Sequence, residues 1–548
     1  MKVKKMTKVL SGLFICSMVL TACGGSNDSS SSDKKESSVK LTTEGFPIVE
    51  EETTFTMMAP NVGMAEWKDM PLFQDYAEKT GINFDFVTPP SSDFSTKLNL
   101  ALASGDLPDV IYGAGSGSLT DSMVIEYGEQ GTFVALEDLI ADNMPNFNKL
   151  LEENPEIRKS ITTPDGHIYT LPTVSMNEPS AIWPRGPMWY RGEWLEALDV
   201  KELPKTTDEF YDLLVRMRDE DPNGNGKKDE IPLTDVKMES TRPWLMAAFG
   251  LKAFGVQEDD GKVTYAPMTE NYKGYLEFMN KLYSEKLLDQ EVFSQADEQK
   301  KSKGQKNQLG LFPDWFSYFT TGKDEKGALE DPMFQPLTSE YSEEAVVPKS
   351  PGISRGTFAI TKEAESPEAL LRWVDYFYGP EGAYYINKGP EGVLWEWAEN
   401  SKGEKVRVYT DIVDTTNVEE TRGKLTPAYG LTIPNIDFKN TDDLMIRNEA
   451  DDELDTSFAD FIATETESKL APAGEVPMPL IYLSKDEIDQ IKDTQTDLQT
   501  YIEQMEAKFI TGVEPLSNWD KYVKTIESMG VDKYVEVYQQ AVDRYNQN

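Results

Sequence analysis

Cysteine is almost absent. The 548-residue chain has two, Cys16 and Cys23, so everything beyond residue 23 is without disulfides and without cysteine metal ligands. Histidine is scarcer: His167 stands alone, which excludes zinc chemistry built on several His ligands and leaves a single candidate for a His base. It lies in TTPDGHIYTLP, a turn followed by a strand, and reads as structural or exposed. Positive charge is in deficit, with 54 Lys and Arg against 96 Asp and Glu and a net charge of −42. Such a surface repels nucleic acid and anionic lipid, and disfavours a strongly anionic ligand unless cations cluster locally. Long apolar runs are missing after the first residues, so no later segment reaches the ~18 residues of a membrane span. There is no internal repeat and no GxxxxGK[ST]. GAGSGS at 113–118 lacks an acidic partner at dinucleotide spacing and reads as a backbone loop lining a cleft.

The start of the chain is what those absences leave. MKVKK is basic, and VLSGLFICSMVL is an apolar run of signal-peptide length. It ends in Leu20-Thr21-Ala22-Cys23, which resembles a lipobox. That resemblance implies cleavage before Cys23, lipidation of its thiol, and durable anchoring by several acyl chains. GGSNDSSSSDKKESS follows with no apolar residue, and predicts a flexible tether over 23–50.

From about residue 52, short strands alternate with amphipathic helices. TTFTMMAP, INFDFVTP and LPDVIYGAG read as strands. PLFQDYAEKTG and FSTKLNLALASGD read as helices, the first closing on Gly81. Such a rhythm predicts a mostly parallel sheet flanked by helices, with ligands beyond the carboxyl ends of the strands. Further helices are predicted at 193–198, from Thr207 to about Arg218, in ENYKGYLEFMNKLYSEKLL, in PEALLRWVDYFYGPEGAYYI, and from about 485 to 547. The length predicts two or more domains.

Several stretches resemble the family 1 extracellular solute-binding proteins of bacterial ABC importers, in their large lipoprotein branch. They are LTAC, LALASGDLPDVIYG (100–113), DGHIYTLP (165–172), WYRGEWLEALDVKELPKTTDEFYDLL (189–214), DPNGNGKKDEIPL (221–233) and SPEALLRWVDYFYGPEGAYYINKGPEG (366–392). The resemblance implies an α/β clamp of the periplasmic-binding-protein type (type II): two lobes of mostly parallel sheets flanked by helices, with a cleft between them. The expected lobes are 51–172 completed by roughly 308–365, and 173–307 completed by roughly 366–548. It implies a monomer on the outer face of the cell membrane, held there by Cys23. That monomer would bind an oligosaccharide without altering it and deliver it to the ABC permease. A peptide or other small-solute receptor, an adhesin and a two-carboxylate glycosidase remain open as alternatives.

Members of this family can hold calcium in an EF-hand-like loop. On that pattern Asp221, Asn223 and Asn225 stand at positions one, three and five, Gly226 makes the turn, Lys227 offers its carbonyl and Asp229 is the ninth. Pro232 occupies position twelve, where a bidentate Glu is usual, so Glu230 is the candidate for that role. The alternative is an Asx-rich turn without an ion. For the sugar, aromatic platforms and hydroxyl partners are needed. Candidates are Glu66, Trp67, Trp183, Arg185, Trp189, Arg191, Arg242, Trp244, Asp314, Trp315 and Trp395. Each Trp is as open to core packing as to ligand stacking. Trp373, at helical spacing, is assigned to the core.

Overall fold

The computed structural model describes residues 39–176, 182–183, 186–399, 403, 405–411, 413, 418–437 and 457–547. Cys16, Cys23 and Arg185 lie outside them. Two large hydrophobic cores, each built on its own sheet, and two smaller clusters make up the body.

The first core surrounds a six-stranded sheet. Its strands are β1 (Thr53–Met58), β2 (Ile82–Val87), β3 (Val110–Tyr112), β4 (Leu171–Ser175), β8 (Ile353–Ile360) and β9 (Asn435–Asp437), in the order β9-β4-β8-β3-β1-β2. The pairs β1–β2, β1–β3 and β4–β9 are parallel. Only β8 runs against its neighbours β3 and β4. Five carboxyl ends therefore share one edge, as the β-α rhythm predicts. The helices start and stop where their sequence says. Helix α1 (Pro71–Thr80) opens on a proline and ends at Gly81, whose φ of 75° lets its N–H cap Ala77. That is the left-handed C-terminal glycine. α2 (Ser91–Ser104) ends the same way at Gly105. α3 (Pro155–Ile161) buries Ile157 and Ile161 against this sheet.

The second core holds a three-stranded sheet: β5 (Met188–Tyr190), β7 (Leu309–Pro313) at the centre, and β6 (Ile231–Leu233). β6 runs parallel to β7 and β5 antiparallel. Helix α4 (Thr207–Asp219) is capped by the Thr206 hydroxyl, which accepts from the Glu209 N–H, and buries Phe210, Leu213, Leu214 and Met217. α5 (Asp297–Gln305) leads into β7. The helical tail, predicted as 485–547, includes α7 (Lys485–Ile510) and α8 (Val531–Gln547). They add Ile491, Leu498, Ile502, Phe509 and Val537 to this core.

The fold is thus the α/β two-lobed clamp, but the segments are shared out differently from the expected boundaries. Residues 309–347, expected to complete the first lobe, put Leu309, Leu311, Phe312, Met333, Phe334 and Val347 into the second core. Residues 367–386 and 433–436, expected in the second, put Trp373, Phe377, Ile386 and Ile436 into the first, through α6 (Pro367–Asp375), the two helical segments after it and β9. The tether also ends sooner. Residues 39–50 are part of the body: Ile48 and Val49 are buried, the Thr42 N–H donates to the Ile48 carbonyl, and Arg372 donates to the Thr42 carbonyl. The tether-like composition stops at Ser38, and Leu41, Ile48 and Val49 supply apolar surface to bury.

Between the cores the chain passes after β4, before β8 and after β9, and these three crossings lie side by side; it also returns to the first sheet at Leu480 and Tyr482 before entering α7. Ser175 pairs with Asp437, its N–H donates to the Gly352 carbonyl, and the Met176 N–H donates to the Asp437 carbonyl, both at 2.7 Å. Gly352 has φ of 71°, and a Cβ there would lie 2.7 Å from the Ser175 carbonyl oxygen.

Candidate functional site

The carboxyl edge of the second sheet is where the candidates separate. β7 ends at Pro313, and Asp314 closes the turn after it. Its Oδ1 accepts from the Trp315 N–H and its Oδ2 from the Thr320 hydroxyl. Its backbone carbonyl accepts from the Trp189 indole at 2.9 Å. Gly186 comes so close that a Cβ would sit 2.8 Å from that same carbonyl oxygen. This fixed turn throws Trp315 outward, 51% exposed, and Phe319 follows at 45%. Phe316, Tyr318 and Phe319 pack against one another behind it, with ring centroids 4.7–5.8 Å apart. Phe458 supports Phe316 at 5.3 Å, and Trp183 meets Phe316 edge-on at 6.3 Å. The result is an aromatic ledge facing water from the end of a central strand. Exposed aromatic area at this edge makes the ledge the candidate binding surface.

Among the described residues, two buried polar groups lie in this ledge with no hydrogen-bond partner: the Trp183 indole N–H and the Ser317 hydroxyl. A buried donor left unpaired costs about 1–3 kcal/mol, which a ligand hydroxyl would relieve. Phe319, Ser317, Tyr318 and Phe458 were not singled out in the sequence. The crowding of four aromatics in DWFSYF was the available signal.

The first sheet presents its own carboxyl edge. Gly113 follows β3 with φ of 63°, and its N–H donates to the Thr357 carbonyl. Residues Gly115–Ser118 form a single helical turn there, where the sequence predicts a loop. Glu66 is exposed on the segment after β1.

The other candidates go elsewhere. Trp67 is buried against Phe73, Phe86 and Tyr112. Trp189 lies inside the second core and Trp244 donates to the Gly186 carbonyl. Trp395 is buried, donates to the Gly389 carbonyl and meets Tyr384 edge-on. These four rings have no free face to offer, because packing consumes both sides. Arg191 is buried and donates to the Leu309 and Gly304 carbonyls. Arg242 forms a bidentate pair with the buried Glu506 and stacks on Phe254. Both arginines hold elements together.

The loop after α4 is a second site in the making. Asp221, at φ of 50°, accepts from the Asn225 and Gly226 N–H groups. Asn225 donates to Asp229 at 2.9 Å. Asn223 donates to the Asn307 carbonyl and Gln308 to Asp229, tying the loop to the residues that enter β7. Among the described residues no three Asp, Glu, His or Cys side chains converge as a ready ligand set; the donors here are mixed carboxylates and amides. Yet Glu230 Oε1 is buried with no partner among the described residues. Burial, then the charges of Asp221 and Asp229, hold its carboxyl above the usual range. A cation would satisfy that oxygen and relieve the repulsion, so the residues fit one.

His167 lies at the far, amino end of β4. Its Nδ1 is 2.5 Å from Glu137 Oε1. That hydrogen bond raises the imidazole above its ordinary value, and the pair plays no part in the ledge.

Comparison with known proteins agrees with this geometry. Residues 63–384 match the model of the bacterial extracellular solute-binding proteins. The chain is 28% identical, over the whole of both sequences, to FusA, a fructooligosaccharide ABC transporter substrate-binding protein of Streptococcus pneumoniae. The structure of FusA in complex with kestose superposes with a TM-score of 0.70 at 25% identity, over 90% of this chain and 100% of that one. A FusA variant described as an EF-hand mutant, bound to fructo-nystose, superposes equally well over the same share of each chain.

Proposed function

The chain belongs to the bacterial extracellular solute-binding proteins, and from that premise we propose that it captures a dissolved oligosaccharide for an ABC importer. The observation that carries this reading is the ledge of Trp315 and Phe319, half-exposed at the carboxyl end of the central strand of the second sheet. Sugars offer apolar C–H faces ringed by hydroxyls. The rings cover the faces, while the Trp183 N–H and Ser317 hydroxyl receive oxygen atoms from the sugar rim. Covering half a Trp contributes ~1–2 kcal/mol, roughly tenfold in affinity per platform. Glu66, on the first sheet's corresponding edge, is the partner offered from the other lobe. Closure about the three adjacent crossings would bring the two edges onto one ligand. The relative named for fructooligosaccharides supports a neutral sugar, as does the acidic body.

Two further parts belong to the proposal. Calcium would be held by Asp221, Asn223, Asn225, the Lys227 carbonyl, Asp229 and Glu230. It would supply charge neutralisation that stiffens the loop, and no chemistry on the sugar. Lipidation at Cys23 would keep the receptor beside its permease.

The test is calorimetric titration with kestose and a panel of neutral and acidic oligosaccharides, followed by chromatography of the recovered sugar. Saturable binding with the ligand returned intact is expected. Cleavage of the sugar, or binding to peptides alone, would overturn the reading.

A further inference from the structure

On the opposite side of the first sheet from its carboxyl edge, the turn after α3 and the last turn of α8 enclose a recess of about 430 Å³. Arg158 and Lys159 line it from α3, Arg544 and Tyr545 from α8, with Thr162 and Tyr482 between them. In a chain with 96 acidic and 54 basic residues, three cations facing one cavity are out of keeping with the whole.

The pairing of these cations is unequal. Arg544 is committed: it holds Glu487 at 2.7 and 2.9 Å and donates to the Tyr482 carbonyl. Among the described residues, Arg158 and Lys159 have no carboxylate within ion-pair distance. The Lys159 ammonium lies 5.6 Å from the centre of the Tyr545 ring, a weak contact at best. The one acid on the rim, Asp165, is occupied by the Thr163 and Tyr169 hydroxyls and the His167 N–H.

We propose that this recess binds a small oxyanion, a carboxylate or phosphate group, between the Arg158 guanidinium and the Lys159 ammonium. Two like charges lining one partly enclosed cavity repel each other, and an anion held there reverses that sign. Arg158 offers a planar fork suited to an oxyanion, Lys159 a point charge, and the Thr162 hydroxyl and Tyr545 ring complete the wall. This site is independent of the sugar ledge.

The experiment uses the full chain in detergent, titrated at constant ionic strength with inorganic phosphate and, separately, with citrate. Saturable binding of either, with a dissociation constant below about 1 mM, is expected. The R158Q/K159Q variant should bind at least tenfold more weakly while melting at the wild-type temperature. Should the double variant fail to fold, K159Q alone must weaken binding at least threefold. Phosphate without citrate points to a phosphate ligand; citrate without phosphate points to a carboxylate. No saturable binding of either anion by the wild type would overturn the site. So would binding that survives unchanged in the folded variant.

Discussion

Trp315 and Trp67 are the same side chain used in opposite ways. One has half its surface in water, the other almost none. Replacing Trp315 with Ala should weaken sugar binding about tenfold or more and leave the melting temperature within about 2 °C. Replacing Trp67 with Ala should cost ~3–5 kcal/mol of stability, because Phe73, Phe86 and Tyr112 lose the ring between them. A Trp315→Ala protein that binds kestose normally would remove the ledge from the site. The sequence did not separate these rings. Each sits beside charge and proline or glycine, and what differs is whether remote residues close over it. The same holds for Arg191 and Arg242, whose partners at Leu309 and Glu506 lie far along the chain. A second residue-scale expectation concerns Asp375. Burial raises its carboxyl from 3.8 to about 6, against hydrogen bonds from Phe147 and Asn146. From about pH 4 to 6 the unfolded chain has lost this proton while the folded one keeps it. Stability therefore falls as pH rises through that window, by up to ~3 kcal/mol. Asp375→Asn should flatten that part of a pH–melting curve, and an unchanged slope would refute it.

At the scale of elements, local rules were legible. Gly81 ends α1, Thr206 caps α4, and the alternation in INFDFVTP becomes β2. The loop from Asp221 to Glu230 was also legible as a mixed oxygen cluster, because its donors are contiguous. Calcium should raise the melting temperature of chelator-treated protein by several degrees. Glu230→Gln should remove most of that gain, since it neutralises the buried carboxylate whose Oε1 has no partner among the described residues. Equal melting with and without calcium would favour the ion-free turn. The assignment of β7 and α6 to lobes was not legible. Both are short apolar elements with correct local pattern, and only their distant neighbours decide which core receives them.

For the molecule as a whole, the three crossings bear on motion. Ser175, Gly352 and Asp437 meet within hydrogen-bonding distance, so a rotation of one lobe on the other turns on backbone torsions there and at the return through Leu480 and Tyr482. Solution scattering should show a smaller radius of gyration with saturating kestose than without. Gly352→Ala should lower the melting temperature and blunt that compaction, since the added methyl meets the Ser175 carbonyl in a backbone region suited to glycine. No change in radius on ligand addition would count against a clamp that moves.

The position of β8 has a consequence for biogenesis. This strand fills the gap between β3 and β4, yet it arrives some 180 residues after β4 and some 240 after β3 in order of synthesis. Until then the emerging polypeptide has the two sides of a slot and nothing to put in it. A chain of this kind stays unfinished for most of its passage from the ribosome, in the loose condition that threading through a narrow export channel requires. Fragments stopped short of Ile353 should accumulate as aggregates, their open strand edges finding one another instead.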